Sequence, residues 1–231
     1  MAGMKVLAID TATEACSAAL GMGTTVLARY EELGRGHAER ILPMVDELLA
    51  EAGTTLAALD AIAFGRGPGA FTGLRLAAAV AQGLAFGAGL PVVAVSNLQA
   101  LAERALEEDS GDAAVVCIDA RMSEVYWCTY RRSAPQGVQA LREEEVSPPD
   151  VVTLEGPQPS IRSWRGAGTG FGAYPQLGPR LGLGPGKVAA QLLPRAIEIL
   201  RIGLRELAAG RSLAPDQALP VYLRNRVTTV P

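Results

Sequence analysis

Gly65-Arg66-Gly67-Pro68-Gly69-Ala70-Phe71-Thr72-Gly73-Leu74-Arg75 is the stretch on which the fold turns. It follows an apolar run, Leu59-Asp60-Ala61-Ile62-Ala63-Phe64, that predicts a strand over 60–65. It leads into a small-residue segment, Leu74 to Phe86, with helical character. Strand, glycine-rich loop and helix in that order point unpaired backbone N–H groups at an anion. The Lys-Ser/Thr pair of a phosphate-cradling P-loop is missing, so this is not a Walker A site. The scaffold is nucleotide-like and the matching chemistry is absent.

Working outward, Val6 to Asp10 is a short apolar strand, and Ala15–Gly21 with Thr25–Glu31 predicts a hairpin around Met22-Gly23-Thr24. Over residues 37–52, Ile41, Leu42, Val45, Leu48, Leu49 and Ala52 recur at helical spacing. Glu39, Arg40, Asp46, Glu47 and Glu51 fall largely off that stripe. Pro43 lies near the helix start, where proline is tolerated only in the first turn or at a kink. After the second helix come a strand, Pro91–Val95, and a helix from Ser96 to Glu107.

The acidic stretch Glu107-Glu108-Asp109-Ser110-Gly111-Asp112 predicts a lobe boundary, with one lobe over 1–106 and a second over 107–231. The final helix and tail belong to the second lobe or pack back on the first. Past the boundary the pattern restarts. Ala113–Asp119 and Glu124–Arg131 form a hairpin turned at Ala120-Arg121-Met122-Ser123. Pro135 to Pro159 is an irregular excursion rich in proline and charge. Ile161 to Ala167 is a strand entering a glycine loop. Val188 to Ala209 is the longest helical pattern of this half, interrupted by Pro194, and Leu219–Arg224 is extended. An apolar strand ending in aspartate and followed by a hairpin thus occurs twice, at Asp10 and at Asp119.

At 231 residues with 49% hydrophobic and 19% charged residues, the chain has material for one large domain or two lobes. No apolar run lasts the roughly 18 residues of a membrane span. Met1-Ala2-Gly3-Met4-Lys5-Val6 runs directly into a strand without a signal-peptide pattern, which predicts a cytoplasmic protein. Cys16, Cys117 and Cys128 are odd in number and lack CxxC spacing. They predict buried free thiols rather than a disulfide framework or a zinc site. The net charge of −3 is uneven: from Arg180 onward eight basic residues face three acidic ones, so the rest of the chain carries −8. A body that acidic is not a self-sufficient nucleic-acid binder.

Five motifs then give a family. Ile9-Asp10-Thr11-Ala12, His37-Ala38-Glu39-Arg40-Ile41-Leu42-Pro43 and Gly67-Pro68-Gly69-Ala70-Phe71-Thr72-Gly73-Leu74-Arg75 stand in the first half. Asp119-Ala120-Arg121-Met122-Ser123-Glu124-Val125-Tyr126 and Pro220-Val221-Tyr222-Leu223-Arg224 stand in the second. In that order they resemble the TsaB (YeaZ) family, the bacterial partner of TsaD in making threonylcarbamoyladenosine in tRNA. The resemblance covers nearly the whole chain, is most specific at the glycine loop and is thinnest over 135–180. It implies an α/β, actin/Hsp70-like (ASKHA) fold of two ribonuclease-H-like lobes.

It also implies an accessory subunit with no catalytic residue and no metal. The partners are a TsaD-like catalytic subunit and a TsaE-like ATPase, tRNA being met through the complex, and the chain alone forms a homodimer. ATP is used by the complex, and this chain has no cofactor beyond weak adenine-nucleotide binding. The apolar stripes of both helices are ordinary core material as well as candidate interface. The resemblance assigns them to the partner through His37, Ile41, Leu42, Val45, Leu49, Thr72, Leu74, Arg75, Leu76, Ala79 and Val80. Arg75 either bridges to a partner carboxylate or stabilises the loop.

In working phosphotransferases of this fold the strand-end aspartates hold phosphate and magnesium with glycine beside them, because a Cβ blocks the approach of phosphate. Here the neighbours are Thr11-Ala12 and Ala120-Arg121. A degenerate cleft of Asp10, Thr11, Thr13, Asp119, Gly168 and Gly170 is what remains, with turn-capping the alternative role of the aspartates. Gly168-Thr169-Gly170-Phe171-Gly172-Ala173 matches a dinucleotide string. No good helix is expected to follow it, because Pro175, Gly178 and Pro179 intervene, so a structural turn is the better reading.

TsaD-type subunits bind metal with paired histidines. The single histidine here, His37, is followed four residues later by Ile41, and it predicts a helix-start residue with its polar tip at an interface. One histidine also argues against a metallopeptidase or a serine hydrolase. An ATP-dependent phosphotransferase of the actin-like fold is the competing function.

Overall fold

The computed structural model describes residues 3–108, 110–134, 137–154 and 161–224. Met1, Ala2, Asp109, the parts of the 135–159 excursion at 135–136 and 155–159, and Arg226 lie outside them. The chain runs β1 (Lys5–Asp10), β2 (Ala15–Met22), β3 (Thr25–Glu32), α1 (His37–Glu51), β4 (Ala61–Gly67), α2 (Phe71–Ala88), β5 (Val92–Ser96) and α3 (Asn97–Glu107). It continues with β6 (Ala113–Arg121), β7 (Glu124–Ser133), β8 (Gly137–Ala140), β9 (Glu145–Ser147), β10 (Trp164–Ala167), α4 (Thr169–Ala173), α5 (Leu177–Arg180), β11 (Val188–Ala189) and α6 (Ala196–Ala208).

Two compact units result: residues 1–100 with 193–220, and residues 101–192 with 221–231. The sequence reading placed the boundary after residue 106 and left the last helix open. The structure moves the boundary to Ala100 and returns α6 to the first unit. The reason lies in β1, β2 and β4. Their faces toward α6 carry small side chains, Ala8, Ala19, Ala61 and Ala63, which leave room for Ile199, Leu200 and Ile202 of α6 to seal that side. Gly203 of α6 lies so close to Ala63 that a Cβ there would crowd it.

In the first unit the strand order is β3-β2-β1-β4-β5. β1–β2 and β2–β3 are antiparallel, while β1–β4 and β4–β5 are parallel. β1 is apolar from Val6 to Ile9 because both its faces are covered: Val6 and Ala8 face α6, and Leu7 and Ile9 face the other layer. That other layer is α1 and α2, which pack Ile41, Met44, Val45 and Leu48 beside Ala78, Ala81 and Ala85. The free edge of β5 is closed by a bridge between Val92 and Leu213. Arg29 of β3 reaches Glu47 and Glu51, and Arg40 reaches Glu31 and Glu47, so shared carboxylates stitch β3 to α1. Pro43 stands in the second turn of α1 without ending it.

The second unit repeats the plan, with β8-β7-β6-β10-β11 in place of β3-β2-β1-β4-β5 and the same pattern of parallel and antiparallel pairs. The duplication seen in the sequence is therefore a duplication of sheet topology, and these are the two lobes of the expected ASKHA fold. Two expectations change here. Val188–Ala209 is not one helix: Val188 and Ala189 join the sheet, and α6 begins only at Ala196, after Pro194. The excursion after residue 135 contributes β8 and β9, both paired to β7. α2, for its part, has the length and hydropathy of a membrane span, 18 residues averaging 1.2, where the sequence reading found none. Its Leu74, Ala77, Ala78, Ala81 and Ala85 are buried within the chain.

Candidate functional site

The glycine motif turns inward. β4 runs on through Gly67 and α2 starts at Phe71, so the loop shrinks to residues 68–70. A Cβ at Gly65 would collide with the Asp10 carboxylate and the Asn97 amide, one at Gly69 with the Ala12 carbonyl, and one at Gly73 with the Thr11 carbonyl. Gly69 and Gly73 thus answer to backbone packed on backbone, and Gly65 to the buried Asp10–Asn97 pair. Two N–H groups at the ends of this loop are spent within the protein as well. Gly67 N–H donates to Asn97 Oδ1 at 2.8 Å, and Ala70 N–H donates to the Ala12 carbonyl at 2.7 Å.

The partner of this loop is the turn at the end of β1. Asp10 is fully buried, and its Oδ1 accepts from Asn97 Nδ2 at 2.7 Å and from the Ala12 N–H at 3.4 Å. Among the described residues its Oδ2 has no hydrogen-bond partner. Burial, opposed by the Asn97 hydrogen bond, pushes the carboxyl up to about 7. Thr11 Oγ1 donates to the Gly73 carbonyl at 2.7 Å, the His37 imidazole Nε2 donates to the Thr13 carbonyl at 3.0 Å, and Thr13 Oγ1 accepts from the Ala15 N–H at 3.3 Å. Asp10, Thr11 and Thr13 are buried, and apart from Asp10 Oδ2 their side-chain oxygens are engaged inside the first unit. His37 is corrected, since its polar tip closes on Thr13 rather than on an interface.

In the second unit Asp119 caps its own turn. Its Oδ1 accepts from the Arg121 N–H at 2.9 Å, its Oδ2 pairs with the Arg121 guanidinium at 3.0 Å, and its N–H donates to Thr169 Oγ1 at 3.0 Å. Arg121, Met122 and Ser123 all adopt left-handed backbone, with φ of 60°, 53° and 60°. Arg224 holds that turn through Glu124, the Arg121 carbonyl at 3.3 Å and Met122 Sδ at 3.4 Å. Gly168, at φ 107°, and Gly170 are buried, and a Cβ on either would meet the Cys117 backbone or side chain. Close packing on β6 thus accounts for these glycines without a ligand. The string itself forms α4, a short helix of five residues from Thr169 to Ala173 that ends at Tyr174.

Among the described residues no three His, Cys, Asp or Glu side chains are grouped as a metal site requires. The three cysteines are buried and unlinked, and burial pushes the Cys16 and Cys128 thiols up to about 11.

The helices divide the remaining candidates. Ile41, Val45 and Leu74 are at most 2% exposed and belong to the core of the first unit, so they are unavailable to a partner. Leu42, Thr72, Arg75 and Ala79 are exposed, and Leu49, Leu76 and Val80 are half-buried. The α1 stripe, assigned to a partner by the family resemblance, is core along its inner side, where Ile41, Met44, Val45 and Leu48 are buried.

The outer face of α2 runs through Thr72, Arg75, Ala79, Gly83 and Phe86, and Phe86 is 80% exposed. Phe71 at its start is exposed and carries the Arg75 guanidinium 3.9 Å from its ring centroid, so Arg75 braces the helix start. A Cβ at Gly83 or Gly87 would meet nothing within 4 Å. Mid-helix glycine, as at Gly83, costs about 1 kcal/mol relative to alanine, and neither Gly83 nor Gly87, in the last turn, has a neighbour within the chain that requires it. In the sequence Gly83 and Gly87 stand out as small surfaces that permit close backbone approach, but Phe86 does not; its spacing from Ala79, on the side away from Ala81 and Ala85, is the available signal.

Comparison with known proteins follows the same lines. A family model described as TsaD, tRNA N6-adenosine threonylcarbamoyltransferase, matches residues 30–181. The tRNA threonylcarbamoyladenosine biosynthesis protein TsaB of Escherichia coli (strain K12) is 45% identical over 226 residues, 97% of this chain and 96% of that protein. The TsaB of Haemophilus influenzae (strain ATCC 51907 / DSM 11121 / KW20 / Rd) is 39% identical, covering 99% of this chain and 97% of the relative. A solved Pseudomonas aeruginosa structure, described as an uncharacterized protein with similarity to peptidase YeaZ, superposes with a TM-score of 0.88 at 47% identity. The match covers 96% of this chain and all of that one.

Proposed function

The chain belongs to the TsaB (YeaZ) family, and from that premise we propose that it is a non-catalytic accessory subunit in tRNA threonylcarbamoyladenosine formation. It binds a TsaD-like transferase through the outer faces of α1 and α2 and holds that subunit in its active arrangement. The transferase moves the threonylcarbamoyl group from its adenylate to a tRNA adenosine. A TsaE-like ATPase joins near the junction, and tRNA is met through the complex. Alone, the chain pairs with a second copy through the same faces. It acts in the cytoplasm and carries no cofactor of its own, with at most weak adenine-nucleotide binding.

The observation that supports this reading best is the outer face of α2. A large apolar ring, Phe86, stands exposed beside two glycines whose missing Cβ atoms serve nothing within the chain. Small residues let the backbone of another helix approach closely, and an exposed aromatic supplies the anchor. Nothing comparable favours the phosphotransferase reading, since Asp10 is sealed from solvent.

The test is tRNA threonylcarbamoylation with purified TsaD, TsaE, ATP and pre-made threonylcarbamoyl-adenylate, with and without this chain. Activity that needs the chain, while the chain alone does nothing, is the expected result; full activity without it sinks the proposal. For the interface, Phe86→Glu and Leu42→Glu are expected to lose the partner while keeping the wild-type melting temperature. Val45→Glu and Leu74→Glu are unsuitable probes, because a carboxylate in the core costs several kcal/mol of fold stability.

A further inference from the structure

One turn joins the starts of three helices. Asp10 and Asn97 connect it to the first residue of α3 at 2.7 Å. The Thr11 hydroxyl and the Ala12 carbonyl connect it to the first turn of α2, through Gly73 and Ala70 at 2.7 Å each. The Thr13 carbonyl connects it to His37, the first residue of α1, at 3.0 Å. The two helices that carry the docking faces are therefore tied to three consecutive residues after the same strand end, by side-chain hydrogen bonds at Thr11 and His37 and by a backbone bond at Ala12.

We propose that the Thr11–Thr13 turn is the positioning element of the docking surface, with Thr11 setting the height of α2 and His37 that of α1. The inference rests on the docking reading above and deepens it. A face assembled from two helices is complementary to a partner only while both keep their relative height and rotation, and interface cores pack as tightly as protein interiors. The apolar layer between α1, α2 and the sheet supplies burial, but that attraction is non-directional and cores accept small shifts. Hydrogen bonds are directional, with narrow distance and angle limits. Gly69 and Gly73 add a steric stop, since their missing Cβ atoms let α2 sit down onto the Thr11 and Ala12 carbonyls. Thr11 is buried, so it acts on a partner only through α2. It is a positioning residue rather than a contact.

The experiment measures the affinity of the purified full chain for its TsaD-type partner by calorimetry, beside thermal unfolding of the chain alone. Thr11→Val keeps the shape and removes the hydroxyl; Thr11→Ser restores it. Thr11→Val is expected to weaken binding about tenfold, with Thr11→Ser within about twofold of wild type. His37→Leu, which removes the second tie, is expected to weaken binding similarly and His37→Gln to recover it. This second pair decides the matter if Thr11→Val does not fold. A merely structural role would lower the melting temperature and leave the affinity of the folded chain unchanged. Wild-type affinity in both Thr11→Val and His37→Leu, while Phe86→Glu loses the partner, overturns this proposal alone. Wild-type affinity in Phe86→Glu overturns the docking reading and this proposal with it.

Discussion

The Asn97 side chain stands between Asp10 and the glycine loop, giving its N–H to the aspartate at 2.7 Å and taking the Gly67 N–H at 2.8 Å. A loop that would offer its backbone to an anion is instead answered by an amide from the neighbouring helix. The strand-end carboxylate is left inside, short of one partner.

That burial has a pH signature. The Asp10 carboxyl is raised from 3.8 to about 7, so between those values the folded chain binds a proton that the unfolded chain has lost. Its contribution to stability is fully present below about pH 4 and is lost as pH rises through about 7, by as much as ~4 kcal/mol. Asp10→Asn carries no such titration. Urea unfolding at pH 5 and pH 8 is expected to show a smaller loss on raising the pH in Asp10→Asn than in wild type. Equal losses would mean that Asp10 is ionised in the fold.

Gly83→Ala is expected to trade function for stability. The added methyl meets open space, so helix propensity stabilises the chain by about 0.5–1 kcal/mol. The same methyl keeps a partner helix away. A higher melting temperature with weaker partner binding is the predicted pair of results, and unchanged binding would remove Gly83 from the interface.

Arg224 is expected to matter to the turn it grips. Three successive left-handed residues without a glycine cost about 1–2 kcal/mol each, and the Arg224–Glu124 pair with its carbonyl contact helps hold them. Glu124→Gln should cost about 1 kcal/mol and speed amide exchange over residues 121–124. Exchange at wild-type rates would show that the Asp119 cap suffices.

Most strands were legible because two-sided burial writes itself as an apolar run, as in Val6–Ile9, and because the first hairpin turn carries a glycine, Gly23. β8 and β9 were not, since only their pairing with β7 makes them strands and their side chains, Val138 apart, are half-buried or exposed. The Val188–Ala209 pattern misled because a short edge strand and a helix share apolar spacing, and only the chain around Pro194 separates them. At the site, the family resemblance named the right helices to examine but not which way each side chain points. Ile41 and Val45 of α1 and Leu74 of α2 were given to a partner although apolar stripes at helical spacing are ordinary core material. The engagement of Asp10 with Asn97 had no sequence signal, because it joins residues 87 positions apart through a fold not yet formed.

The first unit is interrupted: it stops at Ala100 and resumes at Leu193, with the whole sheet of the second unit made in between. Chains are synthesised from the amino end, and domains usually fold in that order. Here the order inverts. The early sheet emerges with its small-residue face bare, and it stays bare until α6 is translated, whereas residues 101–192 supply all the strands of the later sheet in one continuous stretch. During synthesis the amino-terminal half is thus the last to be completed, and its uncovered alanine face is the surface a nascent-chain chaperone would meet.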